Sequence, residues 1–91
     1  MNERVVVTGM GVVAANAIGV VAFEKALREG RSGVRHQERL AELGFACQVA
    51  AVPEGVDAAV EALVPPSLLV AMNSNHRYAA LAALEAWADA A

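Results

Sequence analysis

The chain has 91 residues, enough for one small domain that buries roughly 60–65% of its unfolded surface, which excludes a large enzyme carrying both a pocket and its own support. Apolar residues make up 57% and charged residues 19%, with a mean hydropathy of +0.43, so the chain is too apolar for disorder. The net charge is −3, and Lys25 is the one lysine beside six scattered arginines, which excludes a nucleic-acid module built on clustered cations.

Arg4 to Thr8 reads as a strand buried on both faces, because the Val5-Val6-Val7 run lacks the alternation of a half-exposed strand. Gly9-Met10-Gly11 follows as a turn, Val12 to Ala14 extends the strand, and Asn16 is placed to cap the next element. From Val20 to Glu29, Val20, Phe23 and Leu27 recur on one helical face, and Gly30 supplies a left-handed C′ residue. Arg31 to Gly44 is polar and loop-like, with a short helix over Glu38 to Leu43. Phe45 to Val52 is a second strand that Pro53 stops, with Cys47 a small buried hydrophobe inside it.

Asp57 to Leu63 makes a short helix with a stripe of Val56, Val60 and Leu63, ended by Pro65-Pro66. The last element reads as long, from Ser67 to the terminus, and Asn73-Ser74-Asn75 is its weak point, since these residues favour caps over helix interiors and allow instead a short turn followed by a helix from about Asn75. In that helix Ala79, Ala80, Ala83 and Trp87 share a face that lets another backbone approach, while Glu85 and Asp89 point away. The chain carries 21 alanines, with Phe23, Phe45, Tyr78 and Trp87 as its aromatics. Such a composition suits elements packed against partners outside these residues, and a valine strand buried on both faces needs more sheet than two strands provide.

Three motifs carry possible chemistry. Val5 to Phe23 is an uncharged run of membrane-span length, and Ala15-Asn16-Ala17 imitates a signal cleavage site, so a small exported or membrane-anchored protein with residues 1–17 as its signal segment is one alternative. Gly9, Gly11 and Gly19 interrupt that run, Glu3 offsets Arg4, and the period changes partway. Gly9-Met10-Gly11-Val12-Val13-Ala14 also fits the dinucleotide fingerprint G-x-G-x-x-A, so a truncated dinucleotide-binding α/β domain using Gly9 and Gly11 is a second alternative. Val34, however, stands where the ribose-binding carboxylate belongs. Cys47, His36 and His76 have no metal-ligand or nucleophile spacing, and His76 reads as a packing residue on the last helix.

Arg4-Val5-Val6-Val7-Thr8-Gly9-Met10-Gly11-Val12-Val13 resembles the opening strand and turn of the β-ketoacyl-[acyl-carrier-protein] synthases. Leu27 to Val34 resembles the family's next marker, L-x-x-G-x-S-G-[IV], at a similar spacing. Ala79 to Ala90 resembles its alanine-rich helix ending in A-x-x-D-A, so the likeness is collinear over essentially the whole chain.

The resemblance implies α/β architecture, the incomplete amino-terminal portion of a thiolase-like α/β/α/β/α layered fold, with residues 1–91 a partial β-ketoacyl synthase domain. It implies a cytoplasmic condensing enzyme, with an acyl carrier protein and a homodimer partner and with no cofactor, metal, nucleic acid or membrane. Its reaction is the decarboxylative Claisen condensation of fatty-acid or polyketide assembly. The family's catalytic cysteine and two histidines lie beyond this length, so no residue here is assigned a catalytic role and the fragment is expected to be inactive alone. Ala14-Ala15-Asn16-Ala17 replaces the family's common S-P-L-G, and Met72 to Asn75 departs from its basic–aromatic pair. Both departures leave room for a non-condensing partner of the chain-length-factor type.

Overall fold

A computed structural model describes residues 3–91. The elements in order are β1 (Val13–Ala14), β2 (Ala17–Ile18), α1 (Val20–Glu29), β3 (Val34–His36), α2 (Glu38–Glu42), β4 (Val49–Ala51), α3 (Val56–Leu63), α4 (Pro66–Leu69) and α5 (Ser74–Ala90). The chain is mixed α/β and about half helical, with two small antiparallel sheets among the described residues, β1–β2 and β3–β4.

Helix α1 follows its sequence signals closely. Gly30 takes the left-handed conformation at φ 67° and ψ 28°, and its N–H donates to Leu27 O, so a residue without a Cβ closes the helix. The face differs from expectation: Ala26 is fully buried, Phe23 half-buried and Leu27 exposed. Helix α3 turns Val56 and Val60 into the core and leaves Leu63 out. Pro66 does more than end a helix, since it occupies the first turn of α4, where its missing N–H costs nothing. Asn73 caps α5 through a reciprocal pair, with its Oδ1 accepting from His76 N–H at 3.0 Å and its own N–H donating to His76 Nδ1 at 3.2 Å. His76 is therefore an exposed capping residue and not a packing one.

Several sequence expectations fail for want of neighbours. Arg4 to Thr8 forms no strand, and Val5, Val6 and Val7 are 96%, 72% and 81% exposed. A strand exists only against another strand, and the described residues place none beside this run. The second strand shrinks to Val49–Ala51, and its partner is Val34–His36, in a segment that reads as loop. Val34 pairs with Ala51 and His36 with Val49. Cys47 consequently lies exposed in the connection before β4, with its Sγ–H directed at Val49 O at 3.7 Å, and is no core residue. Asn16 caps nothing. It sits in the β1–β2 turn, and its side-chain amide donates to Arg31 O at 3.1 Å.

The core is a meeting of α3 and α5, where Val56, Val60 and Leu81 are buried and Val13, Ile18 and Tyr78 pack around them. It is small for the chain. The accessible surface is 7001 Å², whereas a compact protein of this mass exposes about 5,000 Å². The radius of gyration, 16.4 Å, likewise exceeds the roughly 12 Å of a compact domain this long.

Candidate functional site

A set of polar interactions lies along the outer half of α5. Glu85 and Asp89 are four residues apart and so share a face. Like charges at that spacing repel. That repulsion is not offset by a basic residue in the following turn of α5. The offset comes from the amino-terminal segment. Met10 N–H donates to Asp89 Oδ2 at 3.0 Å, Val12 N–H to Glu85 Oε1 at 2.9 Å, and Val20 N–H to Glu85 Oε2 at 2.9 Å. Val20 opens α1, and its N-cap, Gly19, has no side chain to satisfy the free N–H groups there. Half-buried Glu85 thus supplies from another helix the cap that α1 lacks.

The expectation that Glu85 and Asp89 point away is therefore reversed, and so is the inward face of α5. Leu81 is buried and Ala82, Glu85 and Ala86 are half-buried, while Ala79, Ala83 and Trp87 are exposed, Trp87 at 82%. Sequence held one usable signal for this. Two acids at i and i+4 on one helix face repel each other unless donors converge on them.

Backbone does approach an alanine surface, as the composition suggests, and the approaching residues are the motif glycines. A Cβ added at Gly11 would overlap the Ala82 carbonyl oxygen and stand 2.8 Å from the Ala82 carbonyl carbon and 2.9 Å from Ala86 N. At Gly9 it would overlap the Ala86 carbonyl oxygen and stand 2.8 Å from Ala90 N. A dinucleotide site would need the N–H groups of this turn and of the next helix free for phosphate. Here the Met10, Val12 and Val20 N–H groups are committed to carboxylates, whose charge repels phosphate. Ala14, the motif's last position, lies in a hairpin strand instead of a helix start. Gly9 and Gly11 make a helix-docking motif. The uncharged run fares similarly as a span: it divides into unpaired chain, hairpin and helix start, and no helix among the described residues is long and apolar enough to cross a membrane.

The remaining reactive side chains are separately engaged. His36 Nε2 lies 3.2 Å from Gln48 Oε1, His76 caps α5, and Cys47 is on the surface before β4. Among the described residues no three His, Cys, Asp or Glu side chains gather as metal ligands would.

Flanking the Glu85 contacts are two open apolar grooves. One, about 480 Å³, is lined by Val12, Ile18, Leu63, Leu81 and Leu84, and the other, about 540 Å³, by Met10, Val20, Phe23 and Ala86. Open apolar grooves of this kind are suited to covering by protein. The family model described as "Beta-ketoacyl synthase, N-terminal domain" matches residues 2–91. No curated protein matches the chain.

Proposed function

The chain belongs to the family of β-ketoacyl synthase N-terminal domains, and on that premise we propose that it is the amino-terminal portion of a condensing enzyme with a thiolase-like layered fold. In the full-length enzyme a cysteine thiolate attacks the acyl carbonyl of the carrier thioester, and the bond from that carbon to the carrier sulfur breaks, so that the carrier leaves as its thiolate. The bond between the malonyl thioester's central carbon and its carboxylate then breaks, and that electron pair forms the new carbon–carbon bond to the acyl carbonyl. The bond from that carbonyl carbon to the cysteine sulfur breaks as the new bond forms, so the products are carbon dioxide, a 3-oxoacyl thioester, the first carrier's thiolate and the regenerated cysteine thiolate. Fatty-acid or polyketide assembly in the cytoplasm, an acyl carrier protein as donor and a homodimeric enzyme belong to this reading.

In it, residues 3–91 contribute framework and no reacting group. The observation that carries this division is the separate engagement of Cys47, His36 and His76 beside a large uncovered apolar surface. A nucleophilic thiol needs a base or a helix N-terminus to make its thiolate, and Cys47 contacts the Val49 carbonyl instead. Glu85 and Asp89 hold the first segment against α5, and the grooves beside them are where the remaining layers would pack.

Sequencing the gene beyond the Ala91 codon tests the reading. The frame is expected to continue into a cysteine turn followed by two histidine motifs. A frame lacking them, or 3-oxoacyl product made by the 91-residue chain from acyl and malonyl thioesters, would overturn it.

A further inference from the structure

The cap on α5 contains a titratable acceptor. Asn73 N–H donates to His76 Nδ1 at 3.2 Å, while His76 N–H donates to Asn73 Oδ1 at 3.0 Å. A backbone N–H can only donate, so Nδ1 is the acceptor and the neutral ring carries its proton on Nε2. A second proton goes to Nδ1, turns it into a donor, and sets two donors against each other. A glutamine at this third helical position keeps its acceptor at any pH, whereas a histidine gains its charge between about pH 5 and 8. We propose that the first turn of α5 is a proton-sensitive joint, closed by neutral His76 and released when the ring takes up a proton.

Two observations set the direction. His76 stands in the first turn of a 17-residue helix, where the helix dipole disfavours a cation. No carboxylate holds the charged ring either, since none of the ion pairs among the described residues includes His76. The ionisable groups on the elements around it are Arg77 and Tyr78 at the start of α5 and Asp57 and Glu61 on α3, and residues 64–75 carry none. Arg77 already donates to Asp57 Oδ1 at 2.8 Å, and its guanidinium also donates to Met72 O at 3.4 Å and to Leu69 O at 3.5 Å. The fold therefore favours the neutral ring, so the cap is complete at the alkaline end and is lost as pH falls. Arg77 keeps its charge throughout, so the corner between α4 and α5 stays pinned and the opening is confined to the first turn. The cap joins residues three apart, and it does not rest on the enzyme reading.

Amide exchange by NMR on the 91-residue chain tests the proposal, with each rate referred to the unstructured rate at the same pH. From about pH 8 to about pH 5, protection of the Asn73 amide should fall about two- to tenfold, the range that one hydrogen bond spans. The Leu81 amide, buried in the middle of α5, should keep its protection. His76→Gln supplies an acceptor that takes up no proton in this range, and it should abolish the fall. His36→Gln removes the chain's other histidine and should leave the fall intact. Long-range proton–nitrogen spectra should show the His76 proton on Nε2 at the alkaline end. A proton on Nδ1 there, Asn73 protection that holds down to about pH 5, or a matching fall at Leu81 overturns the proposal. So does a fall that survives His76→Gln or vanishes in His36→Gln, and each of these results leaves the family assignment standing.

Discussion

Gly11→Ala sets two opposing effects against each other at one atom. Gly11 does not occupy a left-handed conformation, so an alanine there would ordinarily stabilise by about 0.4–1 kcal/mol through the unfolded chain. Its Cβ, however, meets backbone: it overlaps the Ala82 carbonyl oxygen and lies 2.9 Å from Ala86 N. Backbone cannot rotate aside as a flexible side chain can, so α5 and the segment must separate. Overpacking of that kind costs about 1–3 kcal/mol. Separation also stretches the Val12 and Val20 bonds to Glu85, now 2.9 Å each, and hydrogen bonds to a charged acceptor contribute about 1.5–3 kcal/mol. The contact term therefore wins, with a net loss of about 2–4 kcal/mol. Amide hydrogen exchange by NMR is the direct assay, because the Val12 and Val20 amides should lose protection together although only Val12 adjoins the substitution. Gly30→Ala is the control. Its Cβ would meet nothing within 4 Å, but φ is +67°, so it should cost only the left-handed penalty of about 1–2 kcal/mol and leave both amides protected. Protection unchanged in Gly11→Ala would refute the docking argument.

Asn73→Ala removes the Oδ1 half of the cap on α5 and keeps the other, since the backbone N–H of residue 73 still donates to His76 Nδ1. A loss of about 1 kcal/mol is expected, read as a lower urea midpoint by circular dichroism at 222 nm. Cys47 is exposed, so a thiol reagent such as DTNB should titrate it fully without denaturant and leave the circular dichroism unchanged. A requirement for urea would restore the buried-strand reading of Cys47.

Local signals and packing divide the outcome clearly. Helix α1 with its Gly30 terminus, the Val56–Val60 stripe of α3 and the capped start of α5 were all legible, because each depends on residues within a turn or two of one another. The β3 strand was not, since Val34-Arg35-His36 has no apolar alternation and is a strand only because Val49–Ala51 lies beside it. The reverse holds for Arg4 to Thr8, where a strong strand pattern stays unpaired among the described residues.

The site shows the same boundary. The family likeness was readable from Val5 to Val13 and from Leu27 to Val34, and residues 2–91 match that family. The role of Glu85 was not readable, because alanines on every side of α5 leave its inward face undetermined until another element docks. Sequence alone thus determined the family and the helices, which are set by residues close together along the chain. Tertiary structure decided which face of α5 turns inward, that Gly9 and Gly11 rest on a helix, and that a carboxylate 65 residues away caps α1. Those outcomes depend on which donors and surfaces meet in space, and no local pattern records that.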